Sequence, residues 1–435
     1  MTGNTGREQW SSTLGFILAS IGSAVGIGNV WRFPYIVGAN GGGAFLIPYL
    51  ISVLLFGLPL MVLEFAIGRN TGTSVVTAFR SIQGRFSFAG LAVVAIASLV
   101  LSYYLVITSW VLAYALFFAL NRPVDFGAFT GSYLPLIFFL LSGIAVFLTV
   151  RSGVREGIEK VSRVLIPVLV VILLFLVVFA LTQAGAMDGI GFYLSPDYSR
   201  LADPTVWTAA FGQAFFSLSV GMGVMLTYGS YLEGGDLFRN ASVIAVADML
   251  IAILAGLVIF PLVFTAGLDP AAGVNLTFIT LPAVFTGMRF GMVLGALFFA
   301  MLFTAALTSA VSMLEVPVAA MMDSRGYSRK RATLLVFGVI MLLGLPSALS
   351  YTALELELLG TPLLDLNDYL FGTIGLIVAG LIISIVGGWY MDRTRVCTEI
   401  GGCGWQQKIY MALIRYCVPA ILLITLIASL LQAAG

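Results

Sequence analysis

Eleven long apolar segments run through the chain and limit what it can fold into. Each is about as long as, or longer than, the roughly 20 mainly apolar residues that a membrane-spanning helix needs. Of the 435 residues, 60% are hydrophobic and only 9% are charged, which is more apolar surface than a soluble domain could bury. The sequence therefore predicts an all-α, polytopic membrane protein with segments near 12–38, 43–68, 88–121, 132–150, 161–184, 205–232, 240–267, 291–322, 332–350, 364–391 and 409–432.

The composition excludes several kinds of site. The chain has no His, and Cys397, Cys403 and Cys417 lack metal-ligand spacing, so we expect no structural metal, haem or disulfide framework. A formal net charge of +1 argues against a nucleic-acid partner, because such binding depends on a basic face. The first segment has no small-residue cleavage pattern, so we expect it to remain in the mature chain.

The basic residues between the segments predict an orientation. With the N-terminus inside, only Arg122, Arg200 and Arg289 among the basic residues of the loops face outwards. Lys and Arg are enriched in cytoplasmic loops of membrane proteins. We therefore expect a multi-pass protein of the cell inner (plasma) membrane, with its N-terminus cytoplasmic and, after eleven spans, its C-terminus outside.

Two apolar segments are interrupted by glycines and polar residues. These stretches are "GSAVGIGNVWRFP" (22–34) and "FFSLSVGMG" (215–223). Either one alone is more typical of close helix packing. Because they open two successive blocks of five spans, they together favour an inverted-repeat transporter whose binding site lies at the broken helices. We place all of residues 1–435 in a single transporter domain, with repeats at 8–185 and 204–392 and an additional helix at 405–435.

Several motifs make the chain similar to a known family. It resembles the neurotransmitter:sodium symporters, which include bacterial leucine and hydrophobic amino-acid transporters. The resemblance implies the leucine-transporter-like five-plus-five inverted repeat with helices 1 and 6 broken. Members usually have twelve spans, whereas eleven are expected here; because the twelfth lies outside the repeat, its absence would affect oligomeric contacts and leave the transport core intact. We expect a monomer to suffice for transport. Besides the first interruption, the motifs are "NGGGAFLIPYL", "PLMVLEFAIGR", "SYYLVITSW", "GQAFFSLSVGMGVMLTYGSY", "FITLPAVF" and "LTSAVSM".

The resemblance implies two sodium sites made of oxygen ligands, which a hard cation prefers. For Thr308 and Ser309, hydrogen bonding to the preceding helical turn is an alternative role. Asp248 could instead be a charge at a cytoplasmic helix end. The first site would use the carbonyls of Ala24 and Ser217, the Asn29 amide, the Ser217 hydroxyl and the Asp248 carboxylate; the second would use the carbonyls of Gly22, Val25 and Ala305 and the hydroxyls of Thr308 and Ser309.

The resemblance also implies a substrate site beside the first sodium. The substrate carboxylate would lie on the N–H groups around Gly26 and Gly28 and on the Tyr104 hydroxyl, although Tyr104 could be an ordinary packed aromatic. None of the lining side chains is charged, which favours a neutral, hydrophobic L-amino acid. Carbonyls near Ala24, Phe216 and Ser219 would hold the amino group, Ser217 would be shared with the sodium site, and the side chain would face Val100, Phe216, Ser219, Met222, Ser309 and Met313.

Two ion pairs are implied as gates. An exposed pair is worth only ~0 to 1 kcal/mol, so it can break in every cycle. The outer gate would pair Arg32 with Asp368, close to Gln213. The inner gate would pair Arg7 with Asp323, with Trp10 and Tyr231 around them.

These expectations describe a sodium-coupled symporter that works by alternating access, with no organic cofactor and no enzyme activity. Chloride-dependent members have Ser where this chain has Ala252, and Asp248 would supply the negative charge, so we expect chloride independence. The alternative is a membrane sensor that binds an amino acid without moving it, which would need a larger cytoplasmic output segment. A channel would need a continuous polar pore, and an intramembrane hydrolase would need a nucleophile and base.

Overall fold

The computed structural model describes residues 7–268, 276–400, 402 and 404–434, so Cys403 lies outside the described residues. Within these ranges the chain is almost entirely helical. Nine continuous helices are long and apolar enough to cross a membrane, and each coincides with a predicted segment. They are span 2 (Gly43–Thr71), span 3 (Gly84–Ala119), span 4 (Leu134–Arg151), span 5 (Val154–Leu181), span 7 (Leu237–Thr265), span 8 (Gly291–Arg325), span 9 (Arg329–Leu349), span 10 (Leu363–Tyr390) and span 11 (Gln407–Leu431).

The other two predicted spans are broken helices. Span 1 consists of Thr13–Ala24 and Gly28–Ala39, which meet at an angle of 49°. Span 6 consists of Pro204–Ser217 and Val224–Gly229, and its second arm of six residues is too short to count as a spanning helix by itself. The difference from eleven predicted continuous segments therefore lies at the two interruptions seen in the sequence.

The backbone at the break in span 6 explains why the helix stops there. Ser219, Gly221 and Gly223 have φ values of +51°, +87° and +72°, in the left-handed region that a helix cannot use. Glycine adopts this region freely, whereas Ser219 is an uncommon occupant. The Ser219 hydroxyl donates a hydrogen bond to the Ser23 carbonyl (2.8 Å), which joins the two breaks.

Short elements connect the spans. Asp203 begins the outer arm of span 6 as an N-cap, and hydrogen bonds from the Thr205 hydroxyl and N–H hold the pKa of this carboxyl below its usual range. Two short antiparallel strands, β1 (Glu357–Leu358) and β2 (Thr361–Pro362), lie between spans 9 and 10. The connecting helices are Val75–Ile82, Phe126–Thr130, Ala186–Leu194, Leu276–Gly287 and Arg393–Glu399, with a 3-10 turn at Tyr198–Ala202.

The broken spans lie at the centre of the helix bundle. We call Thr13–Ala24 and Val224–Gly229 the inner arms of spans 1 and 6, after the side that the sequence predicts to be cytoplasmic. The inner arm of span 1 packs on spans 5, 7 and 8, and span 2 flanks both arms of span 6. Large apolar side chains on the outer spans point away from the protein, including Val171 on span 5 and Leu342 on span 9. A lipid bilayer suits this outer surface, because apolar side chains lose nothing by facing hydrocarbon.

Candidate functional site

A polar cluster lies where the two broken spans meet span 7. The Asn29 side-chain amide donates hydrogen bonds to the Ser217 hydroxyl (2.9 Å) and to Asp248 Oδ1 (2.6 Å). The Ser217 hydroxyl donates to Asp248 Oδ2 (2.7 Å). Asn29 Oδ1 in turn accepts from the Gly26 N–H (3.1 Å), so the amide also holds the broken backbone of span 1. Asn29 thus forms one hydrogen-bonded group with Ser217 and Asp248, which lie 188 and 219 positions further along the sequence.

Asp248 lies inside span 7 and not at its end. It is completely buried, and it takes part in none of the five ion pairs within 4 Å that the described residues form. A buried carboxylate without a counter-charge costs several kcal/mol, roughly, even after the protein relaxes. The cluster is therefore suited to a monovalent cation, because amide, hydroxyl and carboxylate oxygens lie within one region.

No group of three or more His, Cys, Asp or Glu side chains suited to a metal occurs among the described residues. A sodium site differs, because it can be built from carbonyl and hydroxyl oxygens with a single carboxylate or none.

The residues predicted for a second cation site are also close together. Gly22 lies so near span 8 that a Cβ atom on it would be 3.1 Å from the Thr308 Cβ, and Val25 and Ala305 are fully buried. The Thr308 hydroxyl donates to the carbonyls of Thr304 and Ala305 (3.1 Å each), which is the helix back-bonding considered as the alternative. A hydroxyl that donates its hydrogen still has a lone pair for a cation, so the two roles are compatible.

A small cavity of about 20 Å³ lies beside the cluster. No lining side chain carries a charge. The Tyr104 hydroxyl accepts a hydrogen bond from the Ile27 N–H (3.2 Å), which directs it towards the broken backbone of span 1. Ten of the eleven residues predicted to bind substrate line the cavity, and Ser217 lies in the neighbouring cluster; the ten are Ala24, Gly26, Gly28, Val100, Tyr104, Phe216, Ser219, Met222, Ser309 and Met313.

Glycine is required at two positions of this cavity. A Cβ atom on Gly26 would lie 2.9 Å from the Tyr104 hydroxyl, and one on Gly28 would lie 2.7 Å from the Phe216 ring. Side chains there would fill the cavity or displace both aromatic residues. The absence of a side chain at both positions keeps the space beside the broken backbone of span 1 open.

On one side the cavity is covered by Phe216 and Arg32. The Arg32 guanidinium lies over the Phe216 ring, 4.6 Å from its centre. Arg32 and Asp368 line the same outer cavity of about 250 Å³, but they form no ion pair within 4 Å. Gln213 donates to the Gly28 carbonyl (2.8 Å). The structure thus places the outer pair across one cavity without joining it.

On the other side the predicted inner pair is closed. Arg7 donates to both Asp323 carboxylate oxygens (2.8 and 2.7 Å) and to the Ser230 hydroxyl (2.7 Å). The Trp10 indole donates to the Tyr228 carbonyl (3.0 Å), and the Arg7 guanidinium lies 4.8 Å from the centre of the Tyr231 ring. This end of the protein is held shut by hydrogen bonds and aromatic packing around one ion pair.

A second charged group at the same end was missed by the sequence analysis. Arg329 binds the fully buried Glu315 through two hydrogen bonds (2.7 and 2.8 Å) and Glu8 through a third (2.7 Å). The Tyr231 hydroxyl donates to the same Glu315 (2.6 Å). Glu315 is an acid within an apolar segment, which is a signal that could have identified it.

Glu64 on span 2 was also missed, although it stands in the motif "PLMVLEFAIGR". It is fully buried, and its carboxylate accepts hydrogen bonds from the N–H groups of Gly221 (2.6 Å) and Leu226 (3.4 Å). These donors lie in the break of span 6 and in the first turn of its inner arm. Glu64 therefore satisfies backbone groups that the broken helix leaves without helical partners.

Comparison with known proteins agrees with this geometry. The profile of the sodium:neurotransmitter symporter family matches residues 7–135 and 130–434. An uncharacterized sodium-dependent transporter of Methanocaldococcus jannaschii is 39% identical over 78% of this chain and 74% of its own length. The uncharacterized sodium-dependent transporter YhdH of Bacillus subtilis is 35% identical over 96% of each chain.

More distant similarity extends to animal proteins. The sodium- and chloride-dependent taurine transporter of Rattus norvegicus is 32% identical over 78% of this chain and 65% of its own. The crystal structure of MhsT in complex with L-phenylalanine superimposes with a TM-score of 0.90 at 40% identity, covering 98% of this chain and 100% of that one. The predicted fold is confirmed, and the relatives are transporters and not enzymes. The chain belongs to the sodium:neurotransmitter symporter family, whose members are multi-pass membrane proteins with sodium as the coupling ion.

Proposed function

We propose that the protein imports neutral, hydrophobic L-amino acids together with sodium. The observation that carries this proposal is the uncharged cavity next to the Asn29, Ser217 and Asp248 cluster. An amino acid would bring its own carboxylate to the proposed cation site, and its side chain would meet only neutral groups. The bound L-phenylalanine in the MhsT structure supports this substrate class.

We propose two sodium sites in the same arrangement. The first would use Ala24, Asn29, Ser217 and Asp248, where the buried carboxylate gains a counter-ion. The second would use Gly22, Val25, Ala305, Thr308 and Ser309, between span 1 and span 8. A cation in the second site would tie the broken span to span 8 and so favour the conformation with the inner pair closed.

The substrate site would hold the two charged ends of the amino acid on backbone groups. The N–H groups near Gly26 and Gly28 and the Tyr104 hydroxyl suit a carboxylate, and the first sodium would lie beside it. Met222 and Met313 are flexible, so the cavity can adapt to several apolar side chains. At about 20 Å³ the cavity must enlarge to admit a large side chain, and displacement of Phe216 towards the outer cavity would provide space.

Transport would proceed by alternation of the two gates. The joined Arg7–Asp323 pair and the separated Arg32–Asp368 pair are consistent with a conformation that is closed on the inner side. We place the N-terminus and the Arg7 pair in the cytoplasm, the C-terminus outside, and the two repeats at 8–185 and 204–392, with one copy of the chain sufficient. Coupling then needs only that sodium and substrate bind the two conformations with different affinity.

Uptake into proteoliposomes tests the proposal directly. The purified protein is reconstituted, and accumulation of radiolabelled L-phenylalanine is measured against each of the twenty amino acids as a competitor. We expect hydrophobic L-amino acids to compete and charged ones to fail, because the cavity contains no charged side chain. Competition by lysine or glutamate as strong as that by leucine would contradict the proposed substrate class.

Removal of external sodium is expected to abolish accumulation. The substrate carboxylate would lose the ion that compensates it in a buried site, and an unpaired buried charge is costly. The measurement compares uptake with sodium and with choline or potassium as the external cation. Undiminished accumulation in choline would refute sodium coupling.

Substitution of Tyr104 by Phe is expected to weaken substrate binding by ~1.5 to 3 kcal/mol, the contribution of a hydrogen bond to a charged group. Packing should change little, because only the hydroxyl is removed. Tyr114→Phe is the matched control, since Tyr114 is a buried tyrosine of the same span whose hydroxyl bonds to the Val124 carbonyl (3.2 Å) and not to the cavity. Equal affinity of the Tyr104→Phe and control variants in a scintillation-proximity assay would exclude Tyr104 as the carboxylate donor.

A further inference from the structure

A large groove lies apart from the substrate cavity, at the end of the protein that carries the Arg7–Asp323 pair. It measures about 820 Å³ and shares no lining residue with the central cavity. Its walls come from the helix Val75–Ile82 and from spans 3, 8 and 9. Nothing in the transport mechanism above uses this space.

Three arginines surround the mouth of the groove. Arg80, Arg85 and Arg325 all line it, and all three are exposed. None of them belongs to the five ion pairs formed among the described residues. Arg80 donates only a long hydrogen bond to the Ser87 hydroxyl (3.3 Å), and Arg85 donates to the Gln83 side-chain carbonyl (2.8 Å). The groove thus has a concentrated positive charge that the described part of the protein does not compensate.

The remainder of the groove is apolar and extends along the membrane-spanning helices. Leu91 and Val94 on span 3 face Ala320 on span 8 and Val339 on span 9. From Arg85 to Ser98, the last lining residue along span 3, a helix rises roughly 20 Å. Phe88 and Leu91 are 79% and 55% exposed, so the groove opens sideways towards lipid. The groove therefore has a positively charged end and an apolar region that is open to the bilayer.

We propose that this groove binds an anionic phospholipid from the leaflet that contains the Arg7–Asp323 pair. The phosphate would lie among the three guanidinium groups, which suit phosphate oxygens in charge and geometry. One acyl chain would follow the apolar wall. Basic pockets between membrane helices bind anionic headgroups, whereas free phosphate could use the arginines but not the wall.

The groove lies next to elements that contact the inner pair, so a bound lipid would affect the inner gate. The N–H of Ser74, which precedes the helix Val75–Ile82, donates to Asp323 Oδ2 (2.5 Å). Val75 itself occupies the space in front of Gly223, at the break of span 6. A lipid between this helix and span 8 holds together the elements that meet at the inner pair. Bound lipid thus stabilises the conformation in which that pair is closed.

Native mass spectrometry of the full chain in detergent tests the assignment. Phosphatidylglycerol and phosphatidylcholine are titrated onto the wild type, onto a groove variant and onto a control variant. The groove variant carries Arg80→Gln, Arg85→Gln and Arg325→Gln. The control carries Arg151→Gln, Arg155→Gln and Lys160→Gln, three exposed basic residues that do not line the groove.

We expect phosphatidylglycerol affinity to fall on the order of tenfold or more in the groove variant and to stay unchanged in the control, as expected for the loss of basic contacts to an anionic lipid. Phosphatidylcholine binding should not differ between the variants. Val339→Trp, which fills the apolar part, should also reduce phosphatidylglycerol binding, and glycerol phosphate should not compete. Equal losses in both triple variants, or full competition by glycerol phosphate, would overturn the proposal.

The stabilising effect of the bound lipid has its own readout. Phosphatidylglycerol should raise the apparent midpoint of thermal unfolding in the wild type and the control but not in the groove variant. Lipid-free samples of all three should unfold at similar temperatures, because the substituted side chains are exposed. A lipid-dependent rise of the same size in the groove variant would contradict a stabilising role for this groove.

Discussion

Replacing Asp248 with Asn is expected to abolish sodium-dependent uptake. The amide keeps the size of the side chain but removes the only carboxylate in the hydrogen-bonded cluster with Asn29 and Ser217. The sodium proposed there would then be buried without a negative partner from the protein, which costs several kcal/mol, roughly, or more than a thousandfold in affinity. The measurement is a sodium titration of uptake in proteoliposomes. Asp188→Asn, in an exposed position outside the cluster, is the control and should leave the sodium dependence unchanged.

The same substitution also tests chloride independence. In the unmodified protein, replacing chloride with gluconate should not change the uptake rate, because Asp248 supplies the negative charge permanently. Ala252 lies one helical turn later and is fully buried. Asp248→Asn combined with Ala252→Ser should recover uptake only when chloride is present. A strict chloride requirement in the unmodified protein would contradict this role of Asp248 but not the family assignment.

Replacing Gly68 with Ala is expected to lower the stability of the protein and to impair transport. A Cβ atom at this position would lie 1.9 Å from the Leu226 carbonyl oxygen, a backbone atom of the inner arm of span 6 that cannot turn aside. Overpacking of a tight contact costs ~1 to 3 kcal/mol, and here it also separates the inner arm from span 2. The measurement is the apparent unfolding midpoint in detergent, together with uptake.

Gly338→Ala provides the matched control for this prediction. Gly338 is also in the interior of a membrane-spanning helix, but a Cβ atom there would meet nothing within 4 Å. Alanine is favoured over glycine in a helix by up to ~1 kcal/mol, so this variant should be as stable as the wild type or more so. Destabilisation of both variants to the same extent would show that the loss does not come from the contact with Leu226.

The breaks in spans 1 and 6 were predictable because their cause lies in the local sequence. Glycines and polar residues in apolar segments weaken the helix at those positions, and the structure breaks there, at Val25 and at Ser219 to Gly223. The lining of the cavity was predictable only through the family resemblance, since periodicity alone does not distinguish Val100 or Met313 from ordinary core residues. Composition alone sufficed to predict a membrane protein.

Glu64 and Glu315, which the sequence analysis missed, have partners that the local sequence does not indicate. The partners of Glu64 are backbone N–H groups about 160 residues away. Those of Glu315 include Arg329 on the next span and Tyr231, two residues after the end of span 6. No local pattern encodes such contacts. An acid within an apolar segment signals that a partner exists without identifying it. For the outer pair the sequence has the opposite limit. The resemblance identifies Arg32 and Asp368 as partners, but whether they are in contact depends on the conformation.

Phe216 forms a wall of three spaces at once. Its ring lines the central cavity of about 20 Å³, the outer cavity of about 250 Å³, and a third space of about 220 Å³ against spans 10 and 11. Any rotation of the ring that enlarges one of these volumes takes space from another. In the proposed transport cycle, admission of a ligand from outside and enlargement of the cavity that receives it would therefore both depend on the position of this one ring.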